Sequence, residues 1–392
     1  MINVTKLYCG VESDSDPLRY GQGHGAPVSA QARRPVVVWT MTRRCNLKCL
    51  HCYTDSENRC YPSELTMEEA VQMLDDLATF KIPALLLSGG EPLMHPNFFD
   101  LAKYAKMWGL RLTLSTNGTL ITQDMAKRIV ALGPTYVGIS FDGLYVVNDR
   151  FRGVDRAFRK ALGGLNRLKE LGQRVGLRFT LTRRNIESLP GIFEMVEREG
   201  IDRVCFYHLV YAGRGRHLVE DDLSPAEMRQ AMDTILLKTR QLVQRGWPGE
   251  VLTVDNHADG VFIYLTLLAE GHAAQAEKAL QWLTWNGGGA NSSGVGIAHI
   301  DAQGNVHPDQ FWQEVTFGNV KERPFSQIWQ DESHPMLKAL RNRLPLLKDR
   351  CGSCQWKPLC GGAFRVRAQF AHGDPWASDP ACYLTDEEIG CQ

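Results

Sequence analysis

Several things are missing from this chain, and each absence excludes a class of protein. No apolar run approaches the roughly 20 residues that cross a bilayer, and the first thirty residues lack the charged start and apolar stretch of a secretory leader. A cytoplasmic location with no membrane partner is the expectation. Net charge is missing as well: 44 Lys and Arg balance 44 Asp and Glu. That argues against a nucleic-acid partner held by bulk electrostatics and against a polybasic membrane patch. Neither internal repeats nor low-complexity tracts are visible. What remains is an ordinary globular chain of 392 residues, 44% of them apolar, enough for one large domain and a smaller one. Cysteine, by contrast, is plentiful. Seven of the eleven fall in two tight clusters, which in a reducing compartment points to metal or iron–sulfur ligation rather than disulfides. Cys9, Cys60, Cys205 and Cys391 read as bystanders.

Residues 1–34 are rich in Gly, Ser and Asp without apolar periodicity, so an irregular or mobile extension is expected there. From Pro35 short β-branched runs alternate with amphipathic helices. Strands are predicted near 36–41, 84–88, 110–115, 135–140, 175–182 and 203–208. Thr66 with Glu69 has capping-box spacing, and Ser224-Pro225 opens a helix over 225–244. Six βα units over residues 35–245 imply an α/β fold, a parallel sheet curved into a partial barrel with ligands at the carboxyl ends of its strands. After Gly246-Trp247-Pro248 the alternation stops. Residues 246–290 read as linker and helices, and the Gly-rich stretch 286–296 marks a boundary. A smaller α+β domain over 291–392 opens with a hairpin, strands 296–300 and 306–311 around Asp301-Ala302-Gln303-Gly304.

The chemistry sits on cysteines. Cys45, Cys49 and Cys52 are spaced so that one loop wraps three corners of a [4Fe–4S] cube. Such clusters usually take four Cys, so one iron would stay open for chelation by the amino and carboxylate groups of S-adenosylmethionine (SAM). A structural zinc knot is the competing reading. Tyr53 follows directly and is placed with the cofactor-binding residues. At the end of the second strand, Ser88-Gly89-Gly90-Glu91-Pro92 offers two glycines for close backbone approach, and Glu91 as acceptor for the SAM ammonium group. Cys351, Cys354, Cys360 and Cys382 supply four thiolates for a second, fully ligated [4Fe–4S] cluster, with tetrahedral zinc as the alternative.

With these motifs the sequence resembles the radical SAM superfamily from about Val36 to its end. The resemblance implies a radical SAM oxidoreductase or lyase: the cluster reduces SAM to methionine and a 5′-deoxyadenosyl radical, which takes a hydrogen atom from substrate. It implies Asn117, Ser140 and Arg178 as partners of the SAM ribose or carboxylate, among strand-end polar residues that include Ser115, Thr116 and Asp142. It also implies a SPASM/Twitch-like auxiliary domain. Asn291 and Asp309 stand where the two-cluster form of that domain has Cys, so a third cluster is not expected. Longer segments, among them Tyr-Ala-Gly-Arg-Gly at 211–215, Gly-Asn-Val-His-Pro-Asp at 304–309 and Asp-Pro-Ala-Cys-Tyr-Leu at 379–384, resemble the branch that builds heme d1 for denitrification. That branch implies the iron tetrapyrrole 12,18-didecarboxysiroheme as substrate, loss of two propionate side chains on the way to oxo groups, and a flavodoxin or ferredoxin as electron donor.

Propionate C–H bonds are unactivated, so acid–base groups cannot open them whereas a primary carbon radical can. A carboxylate-rich substrate calls for arginines, and Arg152, Arg214, Arg216, Arg365 and Arg367 are the candidates by position. His208, His257 and His307 are candidates for its iron or for proton donation, with Trp312 and Trp376 as stacking partners. Three rivals remain: a related enzyme that converts acetate or propionate side chains in the alternative heme route, a SPASM enzyme modifying a peptide, and a non-catalytic iron–sulfur or tetrapyrrole carrier. The last has no use for a three-Cys site beside Gly-Gly-Glu-Pro.

Overall fold

A computed structural model of the chain describes residues 1–13, 16–20 and 33–391. One mixed sheet of eleven strands organises it: β1 (Ile2–Asn3), β2 (Val36–Thr40), β3 (Leu85–Ser88), β4 (Leu112–Thr116), β5 (Tyr136–Ser140), β6 (Val175–Leu181), β7 (Arg203–His208), β8 (Glu250–Val254), β9 (Ile297–Ile300), β10 (Asn305–His307) and β11 (Gly318–Asn319). The spatial order is β1-β8-β7-β6-β5-β4-β3-β2-β9-β10-β11. Strands β2 to β8 run parallel, each beside its sequence neighbour, as repeated βα crossovers require. The barrel is not closed. Val37, Leu85, Leu114, Val137, Ile139, Leu177 and Phe206 are fully buried, because strands covered on both faces read as continuous apolar runs.

The helices owe their starts to caps and their placement to one apolar stripe. Met67–Phe80 begins with the Thr66/Glu69 capping box and buries Ala70, Met73, Leu74 and Leu77, a spacing of three and four that lies on one face. Pro225–Gln244 starts on a second capping box, Ser224 with Glu227.

Three expectations need correction. The part of 1–34 that is described is not irregular: Ile2 and Asn3 pair antiparallel with Thr253 and Leu252. A helix over Val4–Cys9 follows and buries Val4, Leu7 and Tyr8, and another spans Asp16–Tyr20. Helices of six and five residues are too short to show periodicity, which is why composition misled. The remainder of that stretch lies outside the described residues. Nor does the alternation stop at Pro248, since Glu250–Val254 forms a seventh parallel strand, every residue buried. Finally, the hairpin does not stand apart. β9 pairs in parallel with β2, from Val36↔Ile297 to Trp39↔Ile300, so the auxiliary region continues the sheet. Its second strand ends at His307 rather than 311, because Pro308 cannot donate and Asp309 turns the chain by accepting from the N–H groups of Phe311 (2.8 Å) and Trp312 (3.1 Å).

Candidate active site

The cysteine loop leaves the carboxyl end of β2 and is held from three sides. From the β3 side, Gly90 N–H donates to Thr42 O (2.8 Å) and Glu91 N–H to Arg44 O (2.9 Å). The glycines are needed for this fit: a Cβ on Gly89 would sit 2.5 Å from Thr42 O, and one on Gly90 2.5 Å from Arg43 O. The close approach they permit is thus to the loop's own backbone. From the helix Tyr145–Arg152, Phe151 O and Arg152 O accept from Leu50 and Lys48 N–H. The Arg152 guanidinium reaches Cys49 Sγ at 3.5 Å while paired with buried Asp142 at 2.5 Å. From beyond β7, Arg214 donates to Cys49 O (2.9 Å), Asp55 (2.7 Å) and Ser56 O (3.1 Å). Arg214 therefore clamps the loop through Nε and Nη1.

Cys45 and Cys49 are buried. Burial pushes the Cys45 thiol up to about 12 and raises Cys49 as well, the neighbouring thiols adding to it. Such groups become thiolates when cations take them as ligands. Among the described residues no three His, Cys, Asp or Glu side chains converge on a point that a single metal ion would fill. Three thiols on one loop are the donor set that a [4Fe–4S] cluster with one open iron takes.

Around the loop lie the other predicted residues. Glu91 is fully buried; one oxygen accepts from Thr116 Oγ1 (2.7 Å) and Leu93 N–H (3.2 Å), the other from Asn117 N–H (2.8 Å). That carboxyl fastens β3 to the end of β4, and burial pushes it up to about 7. Its Oε2 takes one of these bonds and Oε1 two, so the carboxylate keeps an acceptor site beyond its tie to β4. Asn117 Nδ2 bonds Asn46 Oδ1 (2.9 Å) and lies 3.9 Å from Cys45 Sγ. The Tyr53 hydroxyl is 3.3 Å from Ser88 Oγ. Ser140 ends β5 opposite Arg178 in register. Arg178 lies across Gly138, where a Cβ would come within 2.5 Å of its Nε, and donates to Ser115. Its buried Nε has no hydrogen-bond partner among the described residues.

The second cysteine group lines one cavity of about 440 Å³, with Cys351, Cys354, Cys360 and Cys382 all on its wall. Burial and the three neighbouring thiols hold Cys360 well above the usual thiol range, and Arg350 donates to Cys382 Sγ at 3.1 Å. Four clustered, desolvated thiols around one space fit a fully ligated cluster.

Most substrate candidates prove to be structural. Arg365 is fully buried and donates to the carbonyls of Pro375, Ala377 and Gly362. Arg367 pairs with Asp379 at 2.8 Å, both inaccessible to solvent. Arg216 pairs with Glu314. His307 is engaged by Val315 O (2.8 Å) and Asp301 (3.3 Å). His208 bonds Asp259 (2.9 Å), whose other oxygen accepts from Tyr383. Trp312 is core. His257 differs: it is buried with Nδ1 unpartnered among the described residues, and it shares a cavity wall with Arg178. Sequence reasoning missed Arg33, Arg34, Arg111, Arg174 and Arg203 on that same wall. The readable signal was a basic residue at or just before one strand after another.

A profile described as the radical SAM superfamily matches residues 39–196, and one described as an iron–sulfur cluster-binding domain, SPASM, matches 293–355. The chain is 51% identical to the Fe-coproporphyrin III synthase of Methanosarcina barkeri, over 100% of this chain and 99% of that one. It is 47% identical to the pre-heme d1 synthase of Dinoroseobacter shibae, over 91% and 88%. Among solved structures, Streptococcus suis SuiB bound to S-adenosylmethionine superposes with a TM-score of 0.69 at 16% identity, covering 90% of this chain and 78% of that one, which shows a common fold.

Proposed function

The chain belongs to the radical SAM superfamily, among its heme-related synthases with a SPASM extension, and from that premise we propose that it removes carboxylate-bearing side chains from a siroheme-derived iron tetrapyrrole. The observation that supports this reading is the near full-length likeness to two enzymes whose names end in tetrapyrrole products. Bound together, the [4Fe–4S] cluster and SAM supply a primary carbon radical strong enough to take hydrogen from an unactivated C–H bond.

The chain's own residues hold and aim these groups. Cys45, Cys49 and Cys52 hold the first cluster, and Cys351, Cys354, Cys360 and Cys382 the auxiliary one. The Gly89-Gly90-Glu91 backbone fixes the loop against β3, and Glu91 keeps Thr116 and Asn117 in place. Tyr53, Asn117, Ser140 and Arg178 take the polar groups of SAM, Arg178 with an N–H to spare for a carboxylate. A flavodoxin- or ferredoxin-class donor supplies the electrons.

In the first reading the substrate is 12,18-didecarboxysiroheme and the groups lost are two propionates, as heme d1 formation requires. The 51% identity to an Fe-coproporphyrin III synthase favours a second, in which acetate side chains are decarboxylated to methyls. Anaerobic turnover of cluster-loaded protein with dithionite, SAM and 12,18-didecarboxysiroheme, followed by mass spectrometry of the macrocycle, decides between them. Propionate loss supports the first and decarboxylation of acetates to methyls the second. 5′-Deoxyadenosine formed beside an unchanged macrocycle overturns both.

A further inference from the structure

A cavity of about 530 Å³ opens among the amino ends of the parallel strands, at the end of the sheet away from the cysteine loop. Val36, the first residue of β2, lines it, as do Arg111 just before β4, Tyr136 at the start of β5, and Arg203 at the start of β7. Among the described residues its wall carries seven arginines and no Asp or Glu, in a chain whose formal charge is zero.

Those arginines form three groups. Arg19, Arg174 and Arg203 share one buried carboxylate, Glu250, at 3.4, 2.6 and 3.1 Å. Arg33, Arg34 and Arg111 have no carboxylate partner among the described residues. The Arg33 guanidinium lies over Trp285 (5.7 Å) and that of Arg34 over Phe80 (4.2 Å). A ring contact uses the face of a guanidinium and leaves its N–H edges for an anion. Arg178 marks the inner end, where the cavity meets the residues assigned to SAM. Between these charges the wall is apolar, with Val36, Leu86, Tyr136 and Trp285.

Unpaired guanidinium groups around an apolar slot are matched by a flat molecule with apolar faces and several carboxylates at its rim. We propose that this mouth is where the substrate docks, with Arg33, Arg34 and Arg111 seating its carboxylates, Trp285 and Leu86 facing the macrocycle, and the reacting side chain pointing inward toward Arg178. The assignment rests on the tetrapyrrole reading above and adds the residues that select a polycarboxylate. It also moves substrate recognition from the carboxyl ends of the strands, where the sequence pattern placed it, to the opposite end.

The test titrates 12,18-didecarboxysiroheme and its fully methyl-esterified form into cluster-loaded protein, following the macrocycle's absorbance. Wild type and the variants R33Q, R34Q, R111Q and the triple R33Q/R34Q/R111Q are compared, with cluster absorbance and thermal midpoint as checks of folding. Each substitution is expected to weaken binding of the acid about tenfold or more, and the triple variant to lose most of the wild type's preference for acid over ester. The lysine variant R111K, which keeps the charge, should recover part of the loss. If the triple variant binds the acid within twofold of wild type, or discriminates against the ester as strongly, the docking assignment is wrong while the proposed function stands. If wild type binds neither form, both fall.

Discussion

Asp255 follows β8 with a backbone φ of 69° and a carboxyl oxygen, Oδ2, that has no hydrogen-bond partner among the described residues. Burial pushes this carboxyl up to about 7 even though the Arg367 guanidinium opposes the shift. An unfolded aspartate ionises near 3.8, so between these values the native state binds more protons than the unfolded one. Stability from this residue is present below about pH 4 and is lost as pH rises toward 7. The thermal midpoint of cluster-loaded D255N should therefore vary less between pH 5 and 7.5 than that of wild type; equal slopes would show that Asp255 is not the titrating group. At this scale the grouping of the cysteines was legible in the sequence, because spacing is a one-dimensional property. Glu91, Arg214 and Arg365 were legible as important, but their tasks were not. Sequence position does not tell which carbonyls and amides of its own fold a polar side chain engages, and all three make such bonds here.

Among elements, β8 is the one whose absence from the sequence reading has the largest structural consequence. Its first residue is a glutamate, unusual in a strand buried throughout, and it escapes an apolar-run criterion. The burial is possible because Glu250 sits beside Arg203 in register on β7 and also takes Arg19 and Arg174. Removing it takes a shared buried carboxylate from three arginines, of which Arg19 also lies 3.9 Å from Asp16. E250A should cost about 3 kcal/mol or more, mostly through Arg19 and Arg203, since the half-exposed Arg174 is screened by solvent. A denaturant midpoint that gives less than about 0.5 kcal/mol would show that the arginines relax into water. The six strands β2 to β7 were found within two residues of their observed ends, because β-branched and apolar runs between capped helices carry local signals. β1 and the helix Val4–Cys9 carry none: they are held by β8 and by the core they cover.

At the level of the whole molecule the two cysteine groups hang from a single sheet, joined where β9 pairs with β2. That join left no trace in the sequence, as pairing between Val36 and Ile297 is invisible to any local pattern. The predicted boundary near residue 290 accordingly falls within a continuous structure. On the proposed reaction a substrate radical would have one electron to place after side-chain cleavage, which would give the auxiliary cysteines a task separable from SAM cleavage. The C351A/C354A variant should lose roughly half its iron, retain dithionite-dependent 5′-deoxyadenosine formation and yield little tetrapyrrole product. Full product formation would reduce the auxiliary site to a scaffold.

An open sheet of this width has two free borders, and here both are minimal: Ile2–Asn3 at one side and Gly318–Asn319 at the other, two residues each. An incoming β-segment from another chain would find almost no unpaired N–H and C=O groups to add to. Among the described residues the sheet thus presents little border for strand-addition aggregation.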